Sequence, residues 1–141
     1  MADQSWPEQR GEAALKKADA LARKRHGETL VAAKMVREFA DRATAAGITP
    51  VQFSARTYDG NARYRTHIYG WYLKKDRSVG VSTDGVFYVL TAPRRFMSHF
   101  TGTHVEPAEP PLELGKGGRD GESMPIETAL AKRLAAGNDW V

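Results

Sequence analysis

The stretch HIYGWYLKKDRSVGVSTDGVFYVLTAPRRF, residues 67–96, decides how this chain folds. Within it, VGVS and VFYVLT are short runs of strand formers on either side of TDG, and Asp84-Gly85 is a strong hairpin turn pair. Upstream, KKDRS closes a longer strand, RYRTHIYGWYLKK. There Tyr64, Thr66, Ile68, Gly70 and Tyr72 alternate with Arg63, Arg65, His67, Tyr69, Trp71 and Leu73. Aromatics stand on both faces near Gly70, which predicts a bulge or a switch of buried face there. Before this strand VQFSARTY alternates cleanly, placing Val51, Phe53, Ala55 and Thr57 on one face, and DGNA at 59–62 supplies the turn. Four strands in a row predict an antiparallel meander over residues 51–91.

Working outward, the first third reads as helical over residues 5–47. Ser5 and Glu8 have capping-box spacing, and Pro7 suits a first helical turn. Ala14, Leu15, Ala18, Leu21 and Ala22 recur as one apolar stripe, and Leu30, Val31, Met35, Phe39 and Ala43 form a stronger one. Gly27 lies between them, predicting two helices that meet there or one helix bent there. Gly47 is the expected stop.

After the meander, residues 92–122 are rich in Pro and Gly and read as an irregular loop or an extended wrap. Ser123 is the expected N-cap of a last helix over residues 123–137, with Ile126, Ala129, Leu130 and Leu134 facing inward and Gly137 ending it. Helices first and strands after predict an α+β fold: N-terminal helices, or one bent helix, on a four-stranded antiparallel meander, then the Pro/Gly-rich loop and a C-terminal helix. The face bearing Ile68 is expected under the helices. At 141 residues, a single domain is expected over the whole chain, 1–141.

Composition narrows the function classes. With no cysteine, disulfides, thiolate metal sites and cysteine nucleophiles are excluded. The N-terminal residues lack the apolar core of a signal peptide and no apolar run approaches membrane-spanning length, so a cytoplasmic protein without membrane contact is expected. The arginine- and alanine-rich composition suggests a bacterial origin. Residues 1–50 carry 9 Lys and Arg against 7 Asp and Glu, residues 51–105 carry 8 against 3, and residues 106–141 carry 4 against 7. A basic middle and an acidic end permit a polyanion partner or head-to-tail pairing.

Three functional readings follow. The first is a small non-enzymatic binding or adaptor protein that works through protein contacts and self-associates, suggested by alanine-rich helices and the terminal Trp140. The second is a nucleic-acid-binding regulator. It would use a basic strip of Arg56, Arg63, Arg65, His67, Lys74 and Lys75, with Tyr69 and Trp71 as stacking platforms. The third is a metal-independent ribonuclease, with His67 or His99 as acid or base and Arg63 and Arg65 holding phosphate. GKGGRDGES offers an anion-binding candidate in Lys116, Arg119 and Ser123, although its lysine is misplaced for a phosphate-binding P-loop. No histidine pair has metal-ligand spacing and no dinucleotide-binding glycine pattern occurs, so neither metal nor cofactor is expected.

Overall fold

The computed structural model describes residues 6–60, 62–92, 100–101, 104–115 and 123–140. One helix, α1 (Trp6–Ala45), fills the first third. It continues through Gly27 without a break in helical structure. The neighbours of Gly27 are mostly Ala, Leu, Lys, Arg and Glu, strong helix formers, whereas one glycine costs only about 1 kcal/mol relative to alanine. α1 ends where the sequence predicts. Gly47 takes φ of 72°. Its N–H donates to the Thr44 carbonyl at 3.1 Å and that of Ile48 to the Ala43 carbonyl at 3.0 Å, the bond pair of a Schellman motif.

Strands β1 (Val51–Thr57), β2 (Arg63–Tyr72), β3 (Val79–Ser82) and β4 (Phe87–Val89) form the antiparallel meander, and the chain is α+β. The β1–β2 register shifts between Gln52 and Ser54, opposite β2 residues 65–69 and just before Gly70. A fifth short strand, β5 (Thr91–Ala92), pairs parallel with β1, giving the order β4-β3-β2-β1-β5. Thus β4 and β5 stand at opposite edges of the sheet although only Leu90 separates them in the chain. The sheet must curl until its edges meet, as in a small barrel. Leu90 is the seam. Its N–H donates to the Ser78 carbonyl and its carbonyl accepts the Arg56 N–H, both at 2.8 Å, and the residue is fully buried.

Curling divides the apolar residues into two cores. Inside the curl lie Phe53, Ala55, Tyr72, Leu90 and Val105, with Tyr64, Ile68 and Tyr88 packed against them. On the outer face α1 and a second helix, α2 (Ile126–Ala136), cover Trp71, Leu73, Val81 and Phe87. The helices therefore sit on the Trp71 face, and the expectation that they cover Ile68 is corrected. The concave side is filled by the sheet's own side chains together with Val105 of the following segment. Along α1 the residues buried on the sheet are Ala32, Val36, Phe39, Ala40 and Ala43, while Leu30 and Val31 are exposed.

The Pro-rich segment adds only two-residue pairings. β6 (Phe100–Thr101) pairs with β7 (His104–Val105), and β8 (Glu113–Leu114) with β9 (Met124–Pro125). Between β7 and β8, the Ala108 N–H donates to the Phe87 carbonyl at 2.9 Å, so this part wraps along the sheet. Residues 93–99, 102–103 and 116–122 lie outside the described residues. Helix α2 starts at Ile126 without a side-chain cap, so Ser123 is not its N-cap. Pairing with β8 holds Met124 and Pro125 extended, and the Ile126 N–H goes to the Leu112 carbonyl at 2.8 Å. At the other end Asn138 joins the helices: its Oδ1 accepts the Thr49 N–H at 2.8 Å and its Nδ2 donates to the Gly47 carbonyl at 3.3 Å.

Two glycines set how closely the strands fold together. A Cβ on Gly80 would lie 2.7 Å from Phe53 Cζ, and one on Gly70 would lie 2.0 Å from the Val81 carbonyl oxygen. A ring edge can yield and a paired backbone cannot. Gly80→Ala is expected to destabilise the protein by about 1–3 kcal/mol, in the range of core overpacking, and Gly70→Ala by more. Urea denaturation of both variants checks the order, and equal or negligible losses would contradict the close approach.

Candidate functional site

The first candidate is the N-terminal half of α1. Every residue from 10 to 27 is exposed, so this half stands clear of the sheet as an arm. Its apolar residues are not scattered. At 3.6 residues per turn, Ala18 lies about five whole turns before Val36, and Ala14, Leu15, Leu21 and Ala22 flank it on the same side. The stripe is thus the outward continuation of the face that packs on Trp71. Leu15 is 71% exposed and Leu21 48%. Nothing among the described residues covers them. Lys24 and Glu28 form an i,i+4 pair at 4.0 Å, of the exposed kind that adds little stability.

The stripe was visible in the sequence, but its exposure was not. The available signal is its composition. Over residues 10–27 the stripe offers alanine and leucine without an aromatic or β-branched side chain, whereas the packed half carries Val36 and Phe39.

The second candidate is the basic strip, and the structure brings only part of it together. Arg63, Arg65, His67 and Tyr69 alternate along β2 and all are exposed. Register places Arg56 beside Arg63 and Ser54 beside Arg65. Arg56 is half-buried and donates to the Asp76 carbonyl. Trp71 is removed from the candidate surface. It is 1% exposed, its Nε1 donates to the Ile48 carbonyl at 2.9 Å, and Phe39 meets its ring edge-on at 5.7 Å. Lys74 pairs with Asp76 at 3.7 Å, and Lys75 lies 6.0 Å from the Trp140 ring centre, both around the turn after β2. The expected eight-residue strip is therefore a four-residue run on β2 with Arg56 at its flank.

The remaining candidates separate widely. Lys116 and Arg119 of the Gly-rich anion candidate lie outside the described residues, as does His99 of the ribonuclease reading, and Ser123 is exposed ahead of β9. His67 stands on the same exposed run as Arg63 and Arg65. Among the described residues, no three His, Asp or Glu cluster as a metal site, and no helix is long and apolar enough to cross a membrane. The half-buried Tyr88 phenol has its pKa raised, first by burial and then by the carboxylates of Asp84 and Glu106, which keeps it neutral and unsuited to act as a base near pH 7. No protein-family model, curated protein or solved structure matches this chain.

Proposed function

We propose that this chain is a non-enzymatic binding or adaptor protein that works through protein contacts, and that its first contact is with a second copy of itself through the α1 arm. The observation that carries this reading is an exposed apolar stripe in line with the buried face of the same helix. At 1.5 Å per residue, residues 6–27 extend about 33 Å, long enough for a two-helix seam.

The position of the sheet sets the direction of pairing. The sheet lies on the same side of α1 as the stripe. Two arms meeting parallel through that face would force both sheets into the space between the helices. An antiparallel pair carries the sheets to opposite ends, and each arm tip approaches the partner's sheet. The two-fold axis then falls near Ala18, midway along residues 10–27, with Leu15 of one arm beside Leu21 of the other.

Sedimentation across protein concentration tests the association. Each buried leucine contributes about 1.5–3 kcal/mol, so Leu15→Asp with Leu21→Asp should weaken the dimer by about a hundredfold or more without loss of the fold. Because the chain has no cysteine, single-cysteine variants report direction cleanly. Gly11→Cys mixed with Arg25→Cys should cross-link on oxidation, and Gly11→Cys alone should not. A strict monomer at every concentration, or cross-linking of Gly11→Cys with itself, contradicts the reading.

A second reading, a nucleic-acid-binding regulator, is supported by the exposed run of Arg63, Arg65 and His67 with Tyr69 51% exposed beside them. Phosphate contacts release counterions, so on a single strand each arginine that touches a phosphate steepens the salt dependence of binding by about 0.7 of log–log slope. Arg63→Ala with Arg65→Ala should therefore flatten the slope for a labelled single-stranded oligonucleotide by about 1.4. Binding that ignores salt counts against this reading.

A further inference from the structure

A cleft opens between the turn after β2, strands β8 and β9, and the first turns of α2. Its volume is about 840 Å³, within the range of small-molecule pockets. Leu73, Leu114, Met124 and Ala129 line it, and Trp140 closes one side. Leu73, Leu114 and Ala129 are themselves core residues, so the wall is a fixed part of the fold. The C-terminal tryptophan is half-buried here and does not extend into solvent.

The charges around these apolar walls are unbalanced. Lys74, Lys75 and Lys132 reach the cleft, and Asp76 supplies a carboxylate. That carboxylate is already engaged. Its Oδ1 accepts from the Ser78 N–H at 2.9 Å and the Ser78 hydroxyl at 2.6 Å, while Lys74 approaches its Oδ2 at 3.7 Å. Among the described residues, Lys75 and Lys132 have no carboxylate within ion-pair range.

A fourth cation lies behind the wall. Arg133 is 5% exposed, its guanidinium sits 4.9 Å from the Trp140 ring centre, and Nη1 donates to the Gly137 carbonyl at 2.7 Å. Its Nε has no acceptor among the described residues. Lys75 approaches the same ring at 6.0 Å. Two cations drawn to one indole, neither paired with a carboxylate among the described residues, make a positive potential over an apolar surface.

We propose that this cleft binds an amphipathic anion, with an apolar chain lying on Leu73, Leu114 and Met124 beneath Trp140 and its headgroup between Lys75 and Lys132. A purely polar anion would leave the apolar walls unused, and an uncharged chain would leave the cations uncompensated. The proposal is independent of the arm, because no arm residue lines the cleft. Both carboxylates and alkyl phosphates supply such a headgroup, and they can be told apart by titration.

Decanoate, decyl phosphate and decyl maltoside, each below its micelle concentration, are titrated into the full chain while the Trp140 indole N–H is followed by NMR. One or both anions should shift that resonance saturably at one equivalent, more weakly at high salt. Whichever anion binds tighter identifies the headgroup. Lys75 and Lys132 are exposed, so Lys75→Glu with Lys132→Glu should leave the spectrum folded and weaken binding by about tenfold or more. Equal response to decyl maltoside, unchanged affinity in the double variant, or no saturable shift with either anion would overturn the assignment.

Discussion

The indole of Trp71 holds the two layers of this protein together. It stands on the outer face of β2, meets Phe39 of α1 edge-on, and donates its N–H to the carbonyl of Ile48 just past the end of that helix. Each contact fixes something different. The ring sets where α1 lies across the sheet, and the hydrogen bond sets where α1 ends and β1 begins. Burying an indole N–H without an acceptor would cost about 1–3 kcal/mol, so the Ile48 carbonyl is required at that place. With the C-terminal half of α1 pinned this way, the other half has nowhere to go but outward. The arm follows from the pin.

Closure of the sheet at Leu90 is the complementary constraint. It turns a simple meander into a curl with a filled interior and an outer helical layer, and it divides the aromatic residues. Phe53 and Tyr72 stack inside the curl at 4.8 Å between ring centres, while Trp71, next in the chain to Tyr72, faces the helices. This leaves few aromatics for recognition. Among the described residues Tyr69, beside the arginines of β2, and Tyr58 are exposed, and Trp140 lies at the cleft. Candidate binding surfaces therefore occur where the two cores end: along the arm, along the uncovered part of β2, and at the cleft under Trp140.

How much of this the sequence discloses depends on whether a feature is local. The α+β order, the Asp84-Gly85 turn and the stop at Gly47 are set by residues next to one another, and they are legible. At Gly27 the sequence allows one helix or two, and the single helix prevails because a glycine's helix-breaking tendency is small against the formers around it. Leu30 and Val31 mislead because hydrophobicity suggests burial, whereas the face of α1 that enters the outer core carries Ala32 and Ala40. The Ile68 face is misassigned because alternation gives two faces but not which one the helices choose; that choice depends on curling through Leu90, a long-range event. Ser123 is a sound cap by type, but pairing of Met124 with Leu114 moves the helix start beyond it. Of the basic strip, the alternation of Arg63, Arg65 and His67 is readable, and the withdrawal of Trp71 is not.

α1 is one helix with two lives, anchored over residues 32–45 and exposed along its apolar stripe over residues 14–22. Amide hydrogen exchange along α1 tests it most directly, because exchange reports local opening residue by residue. In dilute protein, amides of the anchored half should exchange only on global unfolding, and those of the arm many orders faster. Raising the concentration should protect the arm and leave the anchored half unchanged. Uniform protection from residue 10 to residue 45 in dilute monomer would contradict the claim, since it would mean that the arm already packs on its own domain.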